Sequence, residues 1–275
     1  MSAQVGEPTL AAALVAALDR AAASGTLLVA CDYDGTLAPI VDDPDRAAPL
    51  LGAIDALADL AALPATWVSL VSGRSLDALV ALACPPRAIG LIGSHGAERV
   101  APAGAADREV GHDPAGLPRP PHDEAAQLLK ELVAEVGAEV ALVPGSRIET
   151  KPVGVAFHYR LADPVAGARA ADALIERLAN RPGVHVRTGK MVAEFAVAGA
   201  NKGEALKALI DQTEPDVTVF VGDDVTDEDG FAVLGDADIG IKVGSEVTAA
   251  THRVASPDEV LAVLARLIQH RSLRG

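Results

Sequence analysis

Short runs of apolar and β-branched residues that do not alternate with charged ones punctuate the chain: Leu27 to Cys31, Thr66 to Val71, Ile89 to Ile92, Val217 to Val221 and Ile239 to Val243. A strand with one wet face alternates; a strand buried on both faces reads as such a run and belongs to a parallel sheet covered by helices. Segments with helical spacing separate the runs, at Leu50 to Leu60, Ser75 to Ala83 and Lys202 to Ile210, as the crossovers of a parallel sheet require. The expectation is an α/β fold with a doubly wound parallel sheet.

The rhythm breaks twice. Residues 101 to 121 collect Pro102, Gly104, Gly111, Pro114, Gly116, Pro118, Pro120 and Pro121, a linker composition, and Ala198 to Ala200 form the second break, just before Asn201. Between the breaks the spacing predicts a helix near Asp123 to Val136, a strand pair from Arg147 to Arg160, a helix from Pro164 to Ala179, and strands near Val184 to Thr188 and Met191 to Ala196. The expected organisation is a core of residues 1–120 and 199–275 carrying an inserted α+β module, residues 121–198, as a lid. No linker to a further catalytic domain is visible, so a stand-alone protein is expected. Met1 to Gly25 reads as a helix starting near Pro8, because Glu7 precedes the apolar stretch and Asp19 and Arg20 interrupt it.

Composition removes several classes of function. With 38 acidic and 23 basic side chains the formal charge is −15, and aromatic residues make up only 3%, so a nucleic-acid surface of basic and aromatic residues is not expected. Half of the residues are hydrophobic, enough for a sizeable core rather than a disordered chain. No apolar run approaches the roughly 18 residues of a membrane span. Cys31 and Cys84 are too few for a disulfide framework, which favours a reducing, cytoplasmic setting. A monomer is expected.

The chemistry concentrates at strand ends. Asp32-Tyr33-Asp34-Gly35-Thr36-Leu37 follows the first buried run. Side chains two apart on an extended segment point the same way, so the Asp32 and Asp34 carboxylates converge where ligands bind open α/β sheets. Gly35 lets the backbone turn there. A second cluster, Gly222-Asp223-Asp224-Val225-Thr226-Asp227-Glu228-Asp229, follows the run ending at Val221. Thr226 or Asp227 can cap a helix from Glu228 to Leu234, which accounts for Glu228 and Asp229 but not for Asp223 at the strand end. The spacing is not that of an EF-hand, and hard oxygen ligands without a His/Cys cluster point to Mg²⁺.

Two further segments offer phosphate contacts. Ser72-Gly73-Arg74 joins a strand to a helix and presents a hydroxyl, a guanidinium and free N–H groups; alone it is a common turn. Asn201-Lys202-Gly203-Glu204 opens another helix with Asn201 as its cap. Lys202 then stands near the positive end of a helix, an unfavourable place for a cation without an anionic partner.

Taken in order, Asp-Tyr-Asp-Gly-Thr-Leu, Ser-Gly-Arg, Asn-Lys-Gly and Gly-Asp-Asp-Val-Thr-Asp-Glu-Asp resemble the haloacid dehalogenase superfamily of phosphohydrolases across nearly the whole chain. Within it the sequence is similar to the trehalose-6-phosphate phosphatase family. Leu37-Ala38-Pro39-Ile40, Gly93-Ser94-His95-Gly96-Ala97-Glu98, Arg147-Ile148-Glu149-Thr150-Lys151 and Phe157-His158-Tyr159-Arg160 match its patterns, and Glu194 falls where that family carries a sugar-contacting acid. The resemblance implies that the core is of the haloacid dehalogenase type and the insertion a specificity cap. It implies Asp32 as nucleophile, Asp34 as general acid and then base, and Ser72 and Lys202 as phosphate-stabilising groups. Mg²⁺ is expected on Asp32, the Asp34 carbonyl and Asp223, with Asp224 and Asp227 holding metal-bound waters. Arg74, Arg147, Glu149, Lys151 and Glu194 are the expected substrate contacts, and His95 is equally readable as a contact or as a packed histidine. The implied substrate is a small sugar phosphate, trehalose 6-phosphate.

Other readings stay open at this point. Sucrose phosphate or a mannosyl- or glucosyl-glycerate phosphate would use the same core and differ in the cap. A phosphoacceptor signalling domain shares the acidic pocket but needs neither Asp34 nor the insertion, and a noncatalytic sugar-binding module leaves the paired aspartates unexplained. P-loop and Gly-x-Gly-x-x-Gly sequences are missing, against kinases and dinucleotide enzymes.

Overall fold

The computed structural model describes residues 10–102, 123–151, 153–197 and 201–273. The chain divides into two compact units, one made of Met1–Gly116 and Asn201–Gly275, the other of Leu117–Ala200.

The first unit begins with α1 (Ala12–Ala22), β1 (Leu27–Asp32), α2 (Ala53–Ala61), β2 (Thr66–Val71), α3 (Leu76–Ala83), β3 (Gly90–Gly93) and β4 (Glu98–Val100). The second unit contains α4 (Asp123–Val140), β5 (Arg147–Lys151), β6 (Gly154–His158), α5 (Pro164–Leu178), β7 (His185–Gly189) and β8 (Val192–Ala196). The first unit then resumes with α6 (Lys202–Thr213), β9 (Val217–Gly222), α7 (Val225–Phe231), β10 (Ile239–Val243), β11 (His252–Val254) and α8 (Pro257–Ser272).

Seven strands of the first unit form one sheet in the order β11-β10-β9-β1-β2-β3-β4, with every pair parallel except β3 with β4. β1 shows why its run had to be apolar throughout. Leu27, Val29 and Cys31 pack into a core with residues of α1, α2 and α8, while Leu28 and Ala30 pack on the other face with Leu206 and Leu209 of α6 and Phe231 of α7. The sheet is therefore covered on both faces, and β1 lies where the strand order switches direction, β2 on one side and β9 on the other. Ligands of open α/β sheets bind at the carboxyl end of such a strand. At the opposite edge, Arg271 of α8 is buried and donates to the carbonyls of Ala22, Ser24, Gly25, Pro64 and Ala65 and to the Thr66 hydroxyl. That guanidinium closes the amino edges of β1 and β2.

The second unit is α+β. Its antiparallel sheet runs β5-β6-β8-β7, and Val155, Phe157, Ala193 and Phe195 pack against Leu132 and Val136 of α4 and Leu174 and Leu178 of α5. The alternate positions, Arg147, Glu149, Lys151, His158 and Glu194 among them, share the other face.

Several boundaries differ from the sequence expectation. The break at residues 101–121 falls almost wholly outside the described residues, as do Ala198–Ala200 and the expected helix start at Pro8; α1 begins at Ala12. α2 starts at Ala53 rather than Leu50, because Gly52 before it adopts φ +86°, a left-handed conformation that cannot continue a helix from Leu50. The acidic helix runs from Val225 to Phe231, not from Glu228 to Leu234, with Asp224 in place of Thr226 or Asp227 at its cap. Strands β4 and β11 lie outside the sequence expectation.

Candidate active site

The site grows from the carboxyl ends of β1, β2 and β9 and the amino ends of α6 and α7. Asp32 is the last residue of β1 and is buried. Lys202, the first residue of α6, reaches it: Nζ donates to Asp32 at 2.6 Å and to Asp227 at 2.7 Å. Asn201 fixes that helix start by accepting from the Glu204 N–H. The cation that sequence reasoning found misplaced at a helix amino terminus thus has two anionic partners. Asp223 follows β9, and the backbone N–H groups of Asp223 and Asp224 both donate to Asp227 Oδ2 at 2.9 Å. Asp227 therefore ties together the lysine and the loop that carries Asp223, which is why the helix begins before it.

The approach of the two acidic segments depends on Gly35. It has φ +83°, and a Cβ there would collide with the Asp223 carboxylate. Asp32, Asp223 and Asp227 each present an oxygen within 4.8 Å of the others, and all three are buried. Lys202 thus stands between two of three neighbouring buried carboxylates. Burial pushes the Asp32 carboxyl well above the usual carboxylate range; Lys202 draws it down, and Asp227 and Asp223 drive it up again. At Lys202 burial opposes the charge, but Asp227 and Asp32 outweigh it and hold the ammonium firmly protonated. Such a donor set, three buried carboxylates offering hard oxygens, fits a small divalent cation.

Ser72 is buried at the end of β2, where its N–H donates to Ile92 O and its hydroxyl accepts from the Arg74 N–H at 3.1 Å. Arg74 reaches Asp34 with a two-pronged contact, Nε to Oδ2 and Nη2 to Oδ1, both at 2.6 Å. The sequence reading placed Arg74 on the substrate; here it is engaged with the second aspartate. Asp224 caps α7 beside Asp223, half-buried, with its carbonyl accepting from Lys242 at 3.3 Å.

His95 lies in a strained turn. Ser94 and His95 both have left-handed backbones, φ +48° and +55°, conformations that cost energy in residues other than Gly. The turn is held by Ser94 N–H to Arg74 O, His95 N–H to Ser72 O, and the Ser94 hydroxyl to buried Glu98 at 2.5 Å. The ring lies against Gly73, where a Cβ would come within 2.6 Å of it. His95 is thus packed against the Ser72–Arg74 turn.

In the second unit, Lys151 Nζ is 3.0 Å from Glu194 and Glu149 is 2.7 Å from His158 Nε2. Glu149 and Glu194 flank Ala156 in the register of β5, β6 and β8. Burial alone would raise the Glu149 carboxyl, but the His158 hydrogen bond and the Lys151 charge overcome it and hold it below its ordinary range. Arg147 stands opposite His158 at the next position on the same face. Sequence reasoning passed over His158 and Lys242 as site residues. His158 is visible as a partner of Glu149 on the neighbouring strand only through register, and Lys242 reads as part of an apolar run although its ammonium is buried 3.4 Å from Glu228.

The sheet order, the acids at the switch point and the α+β insertion define a class. A haloacid dehalogenase-like hydrolase from B. subtilis shares the fold, with a TM-score of 0.57 at 17% identity over 88% of this chain and 99% of that one. Residues 30–260 match the trehalose-phosphatase family, and the chain belongs to that family. The trehalose-phosphate phosphatase of Mycobacterium ulcerans is 35% identical over 256 residues, covering 89% of this chain and 62% of that protein. The bifunctional trehalose-6-phosphate synthase/phosphatase of Thermoproteus tenax is 36% identical over 87% of this chain but 32% of its own length. The chain thus spans about a third to three-fifths of these curated relatives. Among solved structures, the C-terminal domain of C. albicans trehalose-6-phosphate phosphatase superposes with a TM-score of 0.78 at 27% identity, covering 96% of this chain and 99% of that one. Among the described residues no helix is long and apolar enough to cross a membrane.

Proposed function

We propose that this chain is a Mg²⁺-dependent phosphatase that hydrolyses trehalose 6-phosphate to trehalose and phosphate through an aspartyl-phosphate on Asp32. The observation that carries the reading is the buried group of Asp32, Asp223 and Asp227 at the switch point of the sheet, with Lys202 between Asp32 and Asp227. Membership of the trehalose-phosphatase family supports the substrate.

Asp32 attacks phosphorus with a carboxylate oxygen, and the bond from phosphorus to the sugar oxygen breaks with its electron pair going to that oxygen. Asp34 delivers a proton to it. Water then attacks the acyl phosphate, Asp34 takes the water's proton, and the phosphorus bond to Asp32 breaks to regenerate the carboxylate. Lys202 and the Ser72 hydroxyl stabilise the phosphoryl oxygens in both steps. Asp32, Asp223 and the Asp34 carbonyl would hold Mg²⁺, with Asp224 and Asp227 behind them. When bound, the ion supplies neutralisation of the phosphoryl charge.

Residues 121–198 are read as the cap, and Glu149, Lys151 and Glu194, with Arg147 beside them, as its sugar contacts: carboxylates and an ammonium match the dense hydroxyl pattern of a disaccharide. The protein is read as a cytoplasmic monomer. Phosphate release from a panel of phosphorylated mono- and disaccharides, with Mg²⁺ and with a chelator, tests the function. Trehalose 6-phosphate should be the preferred substrate and should require the metal; no release from any sugar phosphate would leave a phosphoacceptor domain instead.

A further inference from the structure

Asp34 has one polar side-chain partner among the described residues, Arg74. That arginine is itself anchored on several sides. Its N–H donates to the Ser72 hydroxyl and its carbonyl accepts from the Ser94 N–H at 2.6 Å. Its guanidinium carbon lies 5.8 Å from the centre of the Tyr33 ring, and the Tyr33 hydroxyl is in turn held by Ala47 O at 2.7 Å. The Arg74 side chain is 12% exposed against 33% for Asp34. A fixed planar fork therefore grips a carboxylate that would otherwise turn freely at the mouth of the site.

From this geometry we infer that Arg74 is a positioning residue, acting through Asp34 rather than on the phosphate. The inference rests on the phosphatase reading, in which Asp34 is the general acid and base. A carboxylate offers about four lone-pair sites, and the fork occupies one on each oxygen. Each oxygen keeps a second site, so the pair can persist while Asp34 carries a proton to the sugar oxygen. Proton transfer needs the carboxyl within hydrogen-bond reach of that oxygen, and a misplacement of about 1 Å costs on the order of 10²-fold. Lysine cannot replace the fork, because a point charge fixes neither plane nor direction.

The leaving group exposes the difference. A sugar alkoxide needs protonation to depart, whereas p-nitrophenolate does not. The ratio kcat/KM covers steps through departure of the leaving group and so omits hydrolysis of the aspartyl-phosphate. The purified chain carrying R74A is expected to lose about 10²-fold in kcat/KM on trehalose 6-phosphate and no more than about threefold on p-nitrophenyl phosphate. R74K should retain the same selectivity in weaker form, and it serves as the variant of record if R74A lacks a cooperative thermal transition. Equal losses on both substrates, restoration of both by R74K, or no loss on either would overturn the inference. D34N, measured alongside, separates the two levels. A selective D34N with a non-selective R74A removes the role of Arg74 alone, whereas a non-selective D34N removes the general-acid reading and this inference with it.

Discussion

At the carboxyl edge of the seven-stranded sheet, Asp32, Asp223 and Asp227 gather at one buried point, with the Lys202 ammonium between Asp32 and Asp227. On the polar face of the four-stranded sheet the acids are spread beside basic side chains, Glu194 with Lys151 and Glu149 with His158, and Arg147 shares the face. The first arrangement concentrates carboxylate oxygens at one buried point, a donor set that fits a cation. The second mixes side chains of both signs over a face, which suits the many hydroxyls of a sugar. The difference also follows from architecture. Parallel strand ends aim several carboxylates at one point, while antiparallel register spreads side chains over a face and lets opposite charges meet laterally.

The comparison breaks most decisively at Asp32. Asp32→Asn should reduce phosphate release by ~10⁴-fold or more on every substrate, measured as initial rates in magnesium buffer; near-normal turnover would refute the covalent mechanism. A smaller, selective effect is expected on the other sheet. Glu149→Ala should lower kcat/KM for trehalose 6-phosphate by roughly 10- to 100-fold, the worth of a hydrogen bond to a charged group, and leave a small generic phosphate ester largely untouched. Equal losses on the two would deny that face a role in choosing the sugar.

The smallest effect sharpens how dry the core is. Burial pushes the Cys31 thiol up to about 12, with Asp32 adding to it, and burial, followed by the Asp34 charge, pushes Tyr33 to about 12. Both pKa values are raised in the folded state, so the stability linked to them is intact below the ordinary values of 9.0 and 10.0 and is lost as pH climbs toward about 12. At pH 8 iodoacetamide should label exposed Cys84 and spare Cys31, and on the alkaline side thermal stability should fall as pH rises from about 9 toward 12. Labelling of both at equal rates by mass spectrometry would show that water reaches β1.

Much of the core was legible in sequence because its strands are buried on both faces. β2 and β10 have the bounds that the apolar runs gave, and β1 and β9 extend by one residue to include Asp32 and Gly222. β4 and β11 are three-residue edge strands, too short to show any period. The cap of α7 was misjudged because an acid at a helix start looks like the cap itself. Asp227 instead turns back from inside the helix to serve the N–H groups of Asp223 and Asp224, a choice set by Lys202 arriving 25 residues away in sequence. The bidentate hold of Arg74 on Asp34 crosses 40 residues, and nothing local announces it. Residue types and strand ends could be read locally; pairings made across the sheet edge could not.

Arg271 has a consequence for the order of events when the chain is made. Its partners, from Ala22 to Thr66, precede it by 249 to 205 residues, and Lys202 follows Asp32 by 170. The second unit is one uninterrupted stretch and can complete its own core while the first half of the large sheet still waits for its remaining strands. Strand β1 then cannot be sealed at its amino edge until α8 has left the ribosome, and its terminal aspartate has no lysine until α6 has. The first unit therefore carries an unfinished parallel sheet until the segment after the second unit is made, and both the Asp32–Lys202 pairing and the sealing of β1 wait for that segment.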